Sequence, residues 1–202
     1  ELRATGVRWN FDPVLDLGVN PIWSRFSETY GEDTYLTTQM GLGTIQAYEE
    51  DGLENTTAVA STMKHFIGYS DPANGKDRTP AYIPDIVLWE KYLPQFKAAV
   101  EAGSSTIMIN SASVNGIPVH GSKRLLTDVL RDELGFKGLV VTDWEDVIRL
   151  HTRHRVADSP REAVRQAVDA GIDMSMVPKD FSFYELLVDL VKAGDITEAR
   201  LD

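Results

Sequence analysis

Asp143 closes an apolar run, Leu139-Val140-Val141-Thr142, and has Trp144 beside it. A carboxylate at a strand end can attack an electrophilic carbon, and a neighbouring ring can cover an apolar surface. Lys64-His65 end another such run. Arg25 and Glu28 lie in the long stretch after the first run, Asp77-Arg78 in the stretch after Lys64-His65, and Asn110 and Ser111 close a third. One carboxylate, several cationic donors and a stacking ring are what cleavage of a sugar requires. Arg and Lys donate to hydroxyls, the ring lies on the apolar side of the pyranose, and the carboxylate takes the anomeric carbon. Each residue alone has a plainer reading. A strand-end Asp often caps the next helix, Lys64-His65 would be a solvated pair, and Arg25 and Arg78 would pair with surface carboxylates. Their convergence at several strand ends is the argument for a site.

Two competitors rank lower. Glu145 and Asp146 follow Asp143 closely, but they lie past the strand end, where a helix or loop surface is expected. His151 and His154 stand three apart with no third ligand or accompanying Glu pattern, so they read as a basic loop and no metal is expected.

These residues need elements to hold them. Ser159-Pro160-Arg161-Glu162 is a capping box with proline at the first helical position, Ala163, Val164, Ala167 and Val168 form an apolar stripe, and Gly171 ends it. Ser182 and Glu185 repeat the box ahead of Leu186, Leu187, Leu190 and Val191, with Gly194 as the stop. A third stripe, Leu125, Leu126, Val129, Leu130 and Leu134, lies between Ser122 and Gly135. Helices are also predicted near Asp33–Glu50 and Asp85–Ala102, the second bent at Pro94. The intervening runs Thr106–Asn110, Leu139–Thr142 and Ile172–Met176 suit parallel strands buried on both faces, and Val7–Phe11 and Thr62–Ile67 upstream are two further strand candidates. Five strand–helix units in a row predict an α/β fold with a parallel sheet. No Gly-x-Gly-x-x-Gly follows a strand, so no nucleotide cofactor is expected and a TIM-like (β/α)8 barrel is favoured over an open sheet. Closure takes eight strands, so about five units imply an incomplete barrel.

With 31 acidic against 20 basic residues the net charge is −11, which opposes nucleic-acid binding. No run is long enough to span a membrane, and the first residues lack a signal-peptide layout. The absence of cysteine excludes thiolate metal sites and suits the cytosol as well as a secreted or periplasmic location. The sequon Asn55-Thr56-Thr57 is short enough to arise by chance.

Five segments in order, Asn10–Leu17, Arg25–Asp33, Lys64–Phe66, Gly75–Pro80 and Gly135–Trp144, resemble glycoside hydrolase family 3, in its β-glucosidase and exo-β-glucan glucohydrolase branch. The resemblance implies that Asp143 is the nucleophile of a retaining O-glycosyl hydrolase, that Trp144 lines the terminal-glucose subsite, and that Arg25, Lys64, His65 and Arg78 hold its hydroxyls. The substrate would be a β-glucoside or β-glucan oligosaccharide, with no cofactor. Adjacent strand residues point to opposite faces, so for Lys64 and His65 to reach one sugar a strained or cis peptide is predicted between them.

Two departures stand out. Many members carry a tyrosine where this chain has Ser111, and the Lys-His-Phe-Pro-Gly-His-Gly loop of the β-N-acetylhexosaminidase branch is replaced by Lys64–Asp71 without the second histidine. The resemblance further implies that the general acid/base lies in a downstream α/β-sandwich domain, and that another sugar-binding aspartate precedes residue 1. The whole of 1–202 would then be part of the catalytic barrel, and alone would turn over aryl glucosides poorly. A carbohydrate-binding or assembly fragment and a β-xylosidase-type specificity are the alternatives.

Overall fold

A computed structural model describes residues 1–49 and 52–201. Its strands are β1 (Thr62–Phe66), β2 (Thr106–Ile109), β3 (Ser113–Val114), β4 (Ile117–Pro118) and β5 (Leu139–Val141). Strands β1, β2 and β5 form a parallel sheet in chain order, with Thr62 opposite Thr106 and Thr106 opposite Leu139. Both expected outer strands lie where predicted but are irregular. Among the described residues, Trp9 bridges Ala60 and Val14 bridges Lys64 on one edge, and Val141 bridges Met174 on the other. The first is interrupted at Asp12-Pro13, where proline offers no N–H to a ladder. In the last, the Asp173 carboxylate takes the Val140 N–H at 2.8 Å. The short β3–β4 hairpin turns on Asn115-Gly116, both at positive φ (52° and 84°).

The helices run α1 (Thr34–Glu49), α2 (Asp85–Val87), α3 (Pro94–Glu101), α4 (Asp146–Thr152), α5 (Pro160–Ala170) and α6 (Ser182–Ala193). Asp33 caps α1 by accepting the Leu36 N–H at 2.6 Å; Glu50, at the end of the predicted helix, lies outside the described residues. The predicted 85–102 helix breaks at Pro94 as expected, after a π-helical stretch over Leu88–Tyr92. Arg124–Glu133 is also π-wound, and it buries Leu125, Leu126, Val129 and Leu130. At α5 Ser159 accepts the Glu162 N–H at 3.1 Å, but the Glu162 carboxylate turns to Arg165 instead of closing the box. The second box is corrected: Phe181 is the N-cap of α6, and Asp180 accepts the N–H of Ser182, which is already helical. Of that helix's stripe only Leu190 is fully buried, with Leu186, Leu187 and Val191 partly covered.

One apolar cluster joins strand residues Met63, Ile107, Ile109 and Val140 to the helical Phe96, Leu126, Val164 and Ala167. Burying each large aliphatic or aromatic contributes about 1.5–3 kcal/mol relative to leaving it exposed. The N-terminal ends of the strands are tied by polar groups. Trp9 Nε1 donates to Thr62 and Thr106 hydroxyls at 2.7 and 3.0 Å. Glu49, at the end of α1, accepts from both the backbone and the hydroxyl of Ser61 and Ser105.

Candidate active site

Asp143 stands one residue beyond the end of β5 and is 6% exposed. Its Oδ1 accepts from Arg78 Nη2 at 3.1 Å and from the Trp144 N–H. Its Oδ2 is buried and, among the described residues, accepts no hydrogen bond. His65 Nε2 and Arg25 Nη1 lie 3.7 and 3.9 Å from that oxygen, beyond bonding range. Burial alone would raise this carboxyl's pKa. Against it, the electrostatic influence of the adjacent His65 ring, the Trp144 N–H and the Arg78 guanidinium hold the group well below the usual carboxylate range. The result is an ionised carboxylate with one oxygen fixed and the other unoccupied, the arrangement a nucleophile needs.

The neighbours come from separate elements. Arg25 precedes a turn of 3-10 helix, Phe26–Glu28, and Glu28 holds it from behind through Nε and Nη2 at 2.9 and 2.8 Å. Lys64 and His65 belong to β1, where the Lys64-His65 peptide is cis and the register against β2 shifts, as the alternation argument required. Burial, then repulsion from Arg25, lowers the Lys64 pKa. The ammonium also feels Glu28, Asp12 and Asp143.

Arg78 adopts a left-handed backbone (φ 58°), an unfavourable conformation for a residue with a Cβ. Arg153 braces it by donating to its carbonyl at 2.6 Å. The loop is also pinned where Trp23 Nε1 donates to Asp77 at 2.9 Å. Trp144 is 44% exposed, so it remains available as a stacking wall beside Asp143. The structure thus gathers Arg25, His65 and Arg78 around Asp143 within 4 Å, and Trp144 adjoins it.

The expectation of a surface position fails for Asp146, which is 1% exposed at the start of α4. It accepts from Ser111 Oγ at 2.5 Å, Arg149 Nη1 at 3.1 Å and Arg78 Nη1 at 3.4 Å, so its oxygens are committed. Ser111, which stands where many family members carry a tyrosine, accepts from Arg78 Nη1 at 2.7 Å and links Arg78 to Asp146. Glu145, at φ 59°, is partly exposed and pairs with Arg149 at 3.8 Å. His151 Nδ1 donates to the Ala157 carbonyl at 3.0 Å; because a carbonyl only accepts, Nδ1 carries the proton.

Sequence reasoning missed three residues here. Asp16, 3% exposed, accepts from His65 Nδ1 at 2.7 Å and from the His65 N–H at 3.1 Å. His120, also buried, accepts the Asp143 N–H on Nε2 at 3.3 Å, and burial lowers its pKa, favouring the neutral ring this bond requires. Tyr69 packs edge-on against both Trp23 and His65, with Arg25 over its ring at 5.7 Å. Of these only Asp16 carried a signal, as a lone charge between the leucines Leu15 and Leu17.

The model of the "Glycosyl hydrolase family 3 N terminal domain" matches residues 1–202. A lysosomal beta glucosidase of Dictyostelium discoideum is 50% identical over 98% of this chain and 25% of its own length. A beta-xylosidase of Formosa agariphila is 40% identical over 88% of this chain and 25% of its own. The crystal structure of a beta-glucosidase from Listeria innocua in complex with glucose superposes with a TM-score of 0.94 at 32% identity, covering all of this chain and 28% of that one. The chain spans about a quarter of the length of these curated relatives. Its match to the family is nevertheless continuous from first residue to last, and the chain belongs to glycosyl hydrolase family 3, within that family's N-terminal domain.

Proposed function

We infer that this chain is the nucleophile-bearing part of a retaining exo-β-glucosidase, which releases terminal β-linked glucose through a covalent glycosyl-aspartate on Asp143. The observation that carries the reading is the Asp143 carboxylate, ionised and anchored through Oδ1 while Oδ2 is left without a donor. An anomeric carbon approaching Oδ2 would meet no hydrogen bond to break. Arg25, Lys64, His65 and Arg78 hold the sugar hydroxyls and Trp144 covers its apolar face. The glucose held by the Listeria relative, a close match in fold, supports the same subsite here.

A retaining hydrolase needs a second carboxyl about 5–5.5 Å from the first to protonate the leaving oxygen. Asp146 is committed to Ser111, Arg149 and Arg78. On this reading the acid/base comes from a domain beyond these residues, for which relatives about four times as long leave room. On the same reading the parallel sheet belongs to a barrel closed by further strands at the edges now held by single bridges.

The Formosa relative favours a second reading, β-xylosidase specificity on the same site. Paired assays of the complete enzyme on nitrophenyl β-glucoside and β-xyloside decide between them, and proton NMR of the first-formed sugar tests retention. A β-anomer first product supports the mechanism; an α-anomer first product rules it out.

A further inference from the structure

Asp16 is a buried carboxylate with no place in the reaction as described, yet its Oδ2 is aimed at His65 twice. The hydrogen-bond chemistry fixes the ring. A carboxylate oxygen can only accept, so His65 Nδ1, 2.7 Å away, carries a proton. A guanidinium can only donate, so His65 Nε2, 3.1 Å from Arg25 Nη1, presents a lone pair. Tyr69 holds the ring plane by an edge contact at 5.0 Å, and Glu28 holds Arg25 in register from the far side. Nε2 is also 3.7 Å from Asp143 Oδ2, the oxygen left without a donor. A proton on Nε2 would face Arg25 donor to donor, and a small closing of the 3.7 Å gap would bring it onto Oδ2.

We propose that Asp16 is a positioning residue: by fixing His65 as the Nδ1–H tautomer it withholds a proton from Asp143 Oδ2 and so keeps that oxygen free to attack. The inference rests on the reading of Asp143 as nucleophile. Asp16 touches neither the substrate nor the reacting atoms, and it acts only through which nitrogen of His65 carries hydrogen. Its effect should therefore fall on kcat, because a capped Oδ2 slows attack on bound substrate while leaving the other sugar-holding groups in place.

Asp16→Asn inverts the tautomer with little change of shape. Both bonds run to the one Oδ2, so an amide NH2 turned to that place donates to Nδ1, pushes the ring proton to Nε2 and gives up the bond from the His65 backbone N–H. In Ser-His-Asp enzymes the same kind of swap traps the wrong tautomer and lowers kcat about 10⁴-fold. Here the histidine transfers no proton, so a smaller fall, about 10- to 100-fold in kcat with KM changed less than about threefold, is expected.

The test uses the complete enzyme labelled with 15N-histidine, the His65 signals being assigned by their loss in His65→Gln. Long-range 1H–15N spectra should show Nδ1–H in the wild type and Nε2–H in Asp16→Asn, together with the fall in kcat. In a His65→Gln background Asp16→Asn should have no further effect on kcat, whereas a merely structural role would lower it again. A wild-type ring protonated on Nε2 or on both nitrogens overturns the proposal, even if Asp16→Asn does not fold. So does an inverted tautomer with kcat unchanged. Full activity of Asp143→Asn would refute the parent reading instead, leaving the tautomer result to stand by itself.

Discussion

Glu49 and Asp143 are carboxylates at opposite ends of the same parallel strands, each set among hydrogen-bond donors. At the N-terminal end, Glu49 Oε1 accepts from the Ser61 N–H and hydroxyl, both at 2.6 Å, and from the Ser105 N–H at 3.3 Å; Oε2 takes the Ser105 hydroxyl at 2.6 Å. Both of its oxygens are in use. At the C-terminal end, Asp143 spends Oδ1 on Arg78 and Trp144 and leaves Oδ2 without a donor. Buried acceptors are ordinarily satisfied because each orphan costs about 1–3 kcal/mol. The unsatisfied oxygen therefore marks the end where chemistry is expected, and the saturated one marks the end that holds the strands together. This agrees with the general division of labour between the two faces of barrels built from such units.

Substitutions should separate the two ends. The largest effect belongs to Asp143→Asn in the complete enzyme, where kcat on nitrophenyl β-glucoside falls about a thousandfold or more while the circular dichroism spectrum is kept. Arg78→Ala removes a charged hydrogen bond to Oδ1 and the link to Ser111. Its kcat/KM should drop about 100-fold, corresponding to roughly 2–3 kcal/mol for such a bond. Glu49→Ala should do the reverse. Four donors on Ser61 and Ser105 lose their acceptor, lowering unfolding stability by about 2–4 kcal/mol in denaturant titrations, with kcat unchanged within about twofold. A large kcat loss in Glu49→Ala would erase the distinction.

The smallest effect is in pH. The Asp143 pKa is lowered in the native state, so its contribution to stability is fully present above the unfolded carboxylate value of about 3.9 and is lost as pH falls through the lower native value. The melting-temperature advantage of wild type over Asp143→Asn should be constant above about pH 5 and narrow only in stronger acid.

The strand-end residues were legible because buried parallel strands are short apolar runs, and a polar residue closing one is conspicuous: Asp143 after Val141-Thr142 is such a case. The α5 cap was legible for a similar reason, since Ser159-Pro160 is a local signal that its own helix answers. Ser182 carried the same local signal and failed, because the helix starts a residue earlier, with Phe181 as N-cap and Asp180 accepting the Ser182 N–H. The outer strands lie where predicted but only as isolated bridges; the break at Pro13 is the proline's own, whereas that at Asp173 depends on the Val140 N–H across the sheet. Asp146 was misjudged because position past a strand end does not reveal that Ser111 and two arginines converge on it. Asp16 showed only as a lone charge between leucines and His120 not at all, because their meaning resides in contacts 49 and 23 positions away in the chain.

The most direct test is to incubate the complete enzyme with a fluorinated β-glucoside inactivator, whose leaving group departs readily while the glycosyl-enzyme hydrolyses slowly, and to map the adduct by peptide mass spectrometry. One glucosyl equivalent on Asp143, absent in Asp143→Asn, is the predicted result. Label on Glu145 or Asp146, or hydrolysis with no adduct on any carboxylate of this chain, would contradict the account.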